Sequence, residues 1–222
     1  EAWGALQPEQ LAASGLSPAD GGPAATIPTM HRVAAVSVCL WLGHAALARR
    51  LLPPLQDDLS PLALAGLLLA HLRVEGTGGP PEGPAWRQLL ALDRSHPGLL
   101  DEPALCLEWA RLLPPAEGLQ RLRRARDAQA DPACAGLARA LDLRALQLRQ
   151  ALGEPDLATE ARRLADELPL GLFASVYPPD AWWTLAQVLR PHDAAAADAA
   201  LQRARGWLAD ARLPPDRPDL RQ

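Results

Sequence analysis

The segment from Asp180 to Ala211 contains two helical patterns separated by one short break. The break, Arg190–Asp193, holds a proline that cannot continue a helix and an aspartate that suits the N-cap of the alanine run after it. On either side of it, apolar residues recur at the i, i+3, i+4 spacing of one helical face. These residues are Trp182, Leu185, Ala186 and Leu189 before the break, and Ala197, Leu201 and Ala204 after it. The segment predicts an antiparallel helical hairpin whose small alanines let the two axes approach closely.

Composition extends this prediction to the rest of the chain. Leucine and alanine dominate, while Val, Ile and Thr together supply only 12 of the 222 residues. Strands would lack the β-branched residues that favour them, so we expect a nearly all-α chain. Arginine is used throughout, and neither lysine nor asparagine occurs, which indicates a GC-rich bacterial genome.

Charge and hydropathy exclude several classes of protein. The net charge of −4 is unlike that of a general nucleic-acid binder, which is normally basic. The apolar runs Val33–Leu42 and Leu62–Leu72 are shorter than the roughly 20 residues of a membrane span. Three cysteines lie far apart among apolar residues, as expected of reduced, buried thiols. We therefore expect a cytoplasmic protein that contacts neither membrane nor nucleic acid directly.

Proline and glycine divide the chain into helical units. We predict a flexible arm or linker at 1–28, a helical-repeat domain at 29–211 with a loop insertion at 75–84, and a frayed tail at 212–222. Within the domain, Ser60 and Pro61 predict a helix start. The other predicted helices include Ala85–Asp93, Pro103–Leu113, Ala116–Ala128, Pro132–Leu152 and Asp156–Leu168.

The second helices of the hairpins share a small-and-large apolar pattern that recurs at intervals of 33 to 40 residues. A recurring period indicates stacked supersecondary units. The triplets are Ala48-Leu52-Leu55, Ala85-Leu89-Leu92, Gly118-Leu122-Ala125, Leu157-Ala161-Leu164 and Ala197-Leu201-Ala204. An irregular helical bundle is the alternative.

The last hairpin resembles a tetratricopeptide unit. That family has Trp-x2-Leu-Gly/Ala-x2-Tyr in its first helix and a small-x3-large-x2-Ala run in its second. Trp182, Leu185, Ala186 and Leu189 match the first pattern, with leucine in place of tyrosine, and Ala197, Leu201 and Ala204 match the second. Looser matches are Cys106, Trp109, Ala110 and Leu113, then Leu141, Ala145 and Leu148. The resemblance implies a right-handed array of antiparallel helical hairpins, a tetratricopeptide-like α-solenoid.

The Pro-Pro-Asp-Ala-Trp-Trp opening of this hairpin and the Trp-Leu-Ala-Asp-Ala-Arg-Leu-Pro sequence after it resemble the C-terminal helical tails of large bacterial ATPase-type regulators. The resemblance implies a docking or sensing role in signalling or transcription regulation. We therefore expect a non-catalytic protein–protein interaction module. The alternatives are a small-molecule effector-binding sensor domain, with its effector near Leu62–Leu72, and an enzyme built on an irregular bundle.

Residues with catalytic or metal-binding chemistry are scattered. The five histidines occur singly, and no Cys-x2-Cys or His-x3-His pair is present, so we expect no metal and no cofactor. No serine lies in a Gly-x-Ser-x-Gly elbow. Arg121, Arg123, Arg124 and Arg126 spread around one helix, which favours a solvated surface over a phosphate site.

A binding groove follows if the first helix of each hairpin lines the concave surface. Two adjacent tryptophans cannot both point into one helical interface, so Trp182 packs inside and Trp183 faces a partner. An exposed aromatic ringed by arginines suits a peptide with acidic residues or a free carboxylate. In the alternative, Trp183 packs against Leu170–Tyr177 or a second copy of the chain. The predicted groove residues are Arg111, Arg139, Asp142, Arg149, Asp180, Trp183, Gln187 and Arg190.

Overall fold

The computed structural model describes residues 29–41, 44–55, 59–76, 83–129, 134–171 and 176–210. Over these ranges the chain is helical and contains no strand, which confirms the prediction of an all-α protein. The predicted arm at 1–28, the tail at 212–222 and residues 77–82 of the predicted loop lie outside the described residues.

Ten α-helices follow one another in the described ranges. Short 3₁₀ turns at Leu99–Asp101 and Leu168–Leu170 join some of them. The helices are α1 Thr29–Trp41, α2 Ala45–Leu51, α3 Pro61–Glu75, α4 Pro84–Ser95, α5 Pro103–Trp109, α6 Pro115–Ala128, α7 Ala135–Ala151, α8 Ala158–Glu167, α9 Pro178–Leu189 and α10 Ala194–Asp210.

Helix starts follow local capping chemistry. The Ser60 hydroxyl accepts the Ala63 N–H at 3.4 Å in front of Pro61, as the sequence predicts. Asp193 caps α10 in the predicted way, because its Oδ1 accepts the Ala196 N–H at 3.0 Å. The carboxylate of Glu102 caps α5, which the sequence analysis did not predict.

Helix α5 is shorter than predicted. It ends at Trp109, and the chain then runs through a turn instead of continuing to Leu113. The reason is local, since Leu112 N–H bonds to the Trp109 carbonyl in the tighter i to i+3 pattern at 3.0 Å, just ahead of Pro114. The α5–α6 hairpin therefore has a short first helix and a compact turn.

The helices contact one another in chain order. Each odd-numbered helix contacts the even-numbered helix that follows it. The odd-numbered helices also contact one another in succession, α1 with α3, α3 with α5, α5 with α7, and α7 with α9. Consecutive odd-numbered helices are therefore neighbours along the whole described domain.

The core is divided into four clusters that follow the same order. One joins α1, α2 and the end of α3, and the next joins α3, α4 and Trp109 of α5. A third links α5, α6 and α7, and the last links α7 to α10. Each cluster joins at least three consecutive helices, so the apolar face of each helix is buried largely by its neighbours in chain order.

Candidate functional site

Polar side chains lie between the odd-numbered helices. Arg73 of α3 donates to the hydroxyl of Ser37 on α1 at 3.0 Å, and its Nη1 lies 3.6 Å from Glu108 Oε2 on α5. Arg111 follows α5, and its Nη1 lies 3.7 Å from the same oxygen. We call a set of seven residues the polar ladder: Ser37, Arg73, Glu108, Arg111, Arg144, Gln147 and Thr184. The last three are described next.

The ladder continues on α7 and α9. Arg144 donates to the side-chain oxygen of Gln147, one turn further along α7. The Gln147 amide donates in turn to the hydroxyl of Thr184 on α9 at 2.6 Å, and Thr184 donates to the backbone carbonyl of Asp180 at 2.8 Å. Polar or charged side chains thus lie between each odd-numbered helix and the next one.

A register of 35 or 36 residues relates these positions. Ser37, Arg73, Glu108, Arg144 and Asp180 follow one another at that interval. The residue before each of them is buried in every case: Val36, Leu72, Leu107, Leu143 and Pro179. The same pair of positions, a buried apolar residue and then a polar one, therefore recurs on all five odd-numbered helices.

The ladder has an excess of positive charge around Arg144. The pKa of Arg144 is lowered to about 10, chiefly by burial and in the same direction by the neighbouring Arg111, while Glu108 and Asp180 act in the opposite direction. Burial also lowers the pKa of Arg73, opposed by Glu108. Three guanidinium groups thus lie near two carboxylates.

Two buried ladder atoms have no hydrogen-bond partner within the described ranges. They are Nε of Arg144 and Oε2 of Glu108. The nearest cations to the Glu108 oxygen stand at 3.6 and 3.7 Å, beyond hydrogen-bond distance. A buried polar atom without a partner costs free energy, and a bound group with complementary chemistry would recover it.

The adjacent tryptophans of α9 differ in exposure, with Trp182 buried and Trp183 exposed as predicted. Trp182 is 8% exposed and lies under the guanidinium of Arg203, 4.7 Å from its ring centroid. Trp183 is 53% exposed. Tyr177 makes an edge-to-face contact with Trp207 at 5.2 Å, so its ring partner lies on α10.

Some predicted groove residues lie on the exposed face of α9 and at the end of α5. Asp180, Trp183 and Gln187 are exposed at i, i+3 and i+7 of α9, which places them on one side of that helix. Arg111 is also exposed, and its charge acts on Arg144. We call Arg111, Arg144, Asp180, Trp183 and Gln187 the Trp183 face.

The other predicted groove residues are engaged in contacts within the fold. Arg139 donates to the carbonyl of Gly171 at 2.7 Å. Asp142 pairs with Arg126 of α6 at 2.9 Å and with Arg163 of α8 at 3.1 Å, so it faces the even-numbered helices. Arg149 forms ion pairs with Glu154 and Glu160. Arg190 forms an ion pair with Asp198.

Arg144, Gln147 and Thr184 were not among the predicted groove residues. Arg139, Asp142 and Arg149 were predicted on the helix that carries Arg144, because periodicity alone does not say which face of that helix meets α5 and α9. The signal that identifies Arg144 is the polar residue that follows a buried one every 35 or 36 residues.

The arginine cluster of α6 pairs with neighbouring carboxylates. Arg121 contacts Asp93 at 3.0 Å and Asp101 at 3.1 Å, which ties α6 to α4 and to the turn before α5. Arg124 lies 3.9 Å from Asp101. Together with the pairing of Arg126, these contacts engage three of the four arginines with carboxylates of neighbouring segments.

The apolar segment Leu62–Leu72 forms most of α3. Its residues Leu68, Leu69 and Leu72 are buried against α4 and Trp109, and Leu62 is 51% exposed at the start of the helix. This is where the alternative interpretation expects an effector.

Thiol and metal chemistry receive little support from the described residues. Burial raises the pKa of Cys39, and it raises the pKa of Cys106 to about 12, so both thiols stay protonated near neutral pH. No group of three or more His, Cys, Asp or Glu side chains that could hold a metal ion occurs in the described part of the chain. Within the same part, no helix has the length and apolar character needed to cross a membrane.

Comparison of the chain with protein-family models, curated proteins and solved structures finds no match.

Proposed function

We propose that this chain is a non-catalytic protein-interaction module that binds a peptide segment of a partner on the Trp183 face. The observation that carries the proposal is Trp183, a tryptophan with 53% of its surface exposed beside a tryptophan that is buried. Tryptophan and arginine are the residues most enriched among the anchors of protein interfaces. Asp180, one helical turn before Trp183, acts on the charge of Arg144, and so does Arg111.

The arrangement of helices that we propose is a right-handed, tetratricopeptide-like array. Three observations support it: the contacts between consecutive odd-numbered helices, the core clusters shared by adjacent hairpins, and the register of 35 or 36 residues in the polar ladder. In such an array the odd-numbered helices line an extended surface on which a peptide can lie.

We further propose that the module is the docking or sensing part of a bacterial regulatory protein. The resemblance of the last hairpin to the helical tails of such regulators supports this assignment, as does the position of Trp183 within that hairpin. The partner is then a protein segment.

Selection of short random peptides on the wild-type chain tests the proposal. The peptides are displayed with both ends joined to the carrier, and the affinity of each selected peptide is measured by isothermal titration calorimetry. Replacing Trp183 by alanine should weaken binding at least about 30-fold, which is the size of a hot-spot truncation.

A matched control is Trp207→Ala, which removes a tryptophan that is 36% exposed on α10. This variant should bind the selected peptides with nearly wild-type affinity. Circular dichroism melting of both variants checks that the fold is intact. Equal affinity of the wild-type chain and the Trp183→Ala variant would reject the Trp183 face as the binding surface.

A further inference from the structure

Arg144 is more deeply buried than Arg121 and Arg149, and it has different partners. Arg121 is bound by two carboxylates, from Asp93 and Asp101, and Arg149 is bound by Glu154 and Glu160. Arg144 donates instead to a neutral amide oxygen, and its Nε has no partner among the described residues. A buried guanidinium normally has a carboxylate partner, because burial without one is costly.

The surroundings of Arg144 define what could bind it. Arg111 and Arg73 add positive charge, and Glu108 and Asp180 add negative charge, so with Arg144 itself three guanidinium groups face two carboxylates. Glu108 is already shared between Arg73 and Arg111. The balance therefore matches one additional monoanion, while a dianion would be repelled by the two carboxylates that border the position.

The position of Arg144 relative to Trp183 defines where that anion comes from. Gln147 bonds both to Arg144 and to Thr184, and Thr184 is the residue after Trp183. Two hydrogen bonds thus link the guanidinium to the side chain of the residue that follows the exposed tryptophan. An anion at Arg144 and an apolar side chain on the Trp183 ring can therefore belong to one short peptide.

We propose that Arg144, together with Arg111, binds the side-chain carboxylate of an aspartate or glutamate in the peptide that docks against Trp183. The inference rests on the proposed function, because it names the chemistry that the same surface recognises. The planar guanidinium offers several N–H donors in a fixed geometry, and its Nε–H is one that no described residue uses. The acidic side chain supplies the partner that the fold itself lacks at Arg144.

The test uses peptides selected on the wild-type chain with both ends blocked, so that no terminal carboxylate is present. These peptides should share an aspartate or glutamate at a fixed distance from an apolar residue. Replacing that acid by its amide should weaken binding to the wild-type chain by about 30-fold. The same replacement should have little further effect on the Arg144→Met variant, because the two changes remove one interaction.

Two further measurements sharpen the assignment. Arg144→Lys keeps the charge but not the planar set of N–H donors. It should therefore recover only part of the peptide affinity that Arg144→Met loses. Phosphoserine in place of the acid should bind more weakly than glutamate, since Glu108 and Asp180 oppose a second negative charge. Melting curves of every variant establish that the chain is folded.

The possible outcomes separate the inference from the proposed function. If selected peptides depend on Trp183 but contain no shared acid, or if Arg144→Met leaves their affinity unchanged, the acidic side-chain site is rejected and the docking function stands. If Trp183→Ala leaves peptide affinity unchanged, both are rejected. A preference for phosphoserine over glutamate would also overturn the assignment of a monoanion.

Discussion

The side-chain amide of Gln147 donates a hydrogen bond to the hydroxyl of Thr184 at 2.6 Å, which joins α7 to α9 at the residue that follows the exposed Trp183. Thr184 is 5% exposed, and its hydroxyl also donates to the carbonyl of Asp180. The bond therefore fixes the position of the last odd-numbered helix against the one before it. The same glutamine accepts a hydrogen bond from Arg144, so it also connects Arg144 to helix α9.

Replacing Thr184 by valine should lower the free energy of unfolding by about 1–3 kcal/mol, because the Gln147 amide loses its partner in a buried position. Urea unfolding measures the change. In the Gln147→Met background the same replacement should cost clearly less, since both polar partners are then absent. Equal costs in the two backgrounds would contradict a direct interaction between these side chains.

A second prediction concerns how closely α6 approaches its neighbours. A Cβ atom at Gly118 would lie 2.8 Å from the carbonyl oxygen of Ala110 and 3.0 Å from Cδ1 of Leu148. Gly118→Ala should therefore destabilise the fold by about 1–3 kcal/mol, although alanine normally favours a helix.

The matched control for Gly118 is Gly206, which also lies inside a helix. A Cβ atom there meets nothing within 4 Å, so Gly206→Ala should raise the free energy of unfolding by about 0.5–1 kcal/mol. Denaturant unfolding of the two single variants makes the comparison. Stabilisation by both alanines would show that α6 does not pack as closely as described.

The N-cap of α10 predicts a pH dependence. The hydrogen bond from the Ala196 N–H holds the pKa of Asp193 below its ordinary value of 3.8, and Arg162 at 3.3 Å acts in the same direction. A carboxyl whose pKa is lowered by folding stabilises the fold above its unfolded pKa, and this contribution is lost as the pH falls through the folded value.

Asp193→Asn should therefore lower the melting temperature near neutral pH, and the difference from the wild-type chain should shrink as the pH falls below about 4. Asn remains a good N-cap, so the difference reports the charge and not the loss of the cap. Asp166→Asn, on the exposed surface of α8, serves as the control and should change the melting temperature little. A difference that stays constant down to low pH would exclude the charge as its source.

Arg144 should reduce stability in the absence of a ligand. Its pKa is lowered to about 10 by burial, so the cost of holding its charge is present below that pH and is relieved only as the pH rises through it. Arg144→Met should raise the free energy of unfolding by about 1 kcal/mol, because an apolar side chain of similar length replaces a buried charge.

Arg73→Met is the comparison for Arg144. Arg73 donates to Ser37 at 3.0 Å and lies 3.6 Å from Glu108, so its loss should destabilise the fold. In urea unfolding, the free energy of unfolding should rise for Arg144→Met and fall for Arg73→Met. A loss of stability for Arg144→Met as large as that for Arg73→Met would mean that Arg144 serves the fold.

Capping preferences and helical periodicity predicted the parts of the fold that depend only on residues close in sequence. Ser60 and Asp193 act as helix caps because a side-chain oxygen needs only the N–H groups of the next turn. Trp182 and Trp183 point apart because consecutive residues of a helix lie on different faces. The all-α class followed from the shortage of β-branched residues.

The contacts of α7 depend on how it packs against four other helices, and they were not predictable in the same way. Helix α7 contacts α5, α6, α8 and α9, so each of its faces meets a different helix. Asp142 and Arg149 therefore pair with even-numbered helices, while Arg144 and Gln147 turn toward the odd-numbered ones. Periodicity identifies the helix but does not say which neighbour each face will meet.

The central claim is that the exposed tryptophan of α9 is the contact point for a docked peptide. The most direct measurement is fluorine NMR of the chain labelled with 5-fluorotryptophan, with the resonance of Trp183 assigned from the Trp183→Phe variant. Addition of a peptide selected on the wild-type chain should shift the Trp183 resonance and leave that of Trp207 nearly unchanged. A shift at Trp207 or Trp86 with no change at Trp183 would contradict the account.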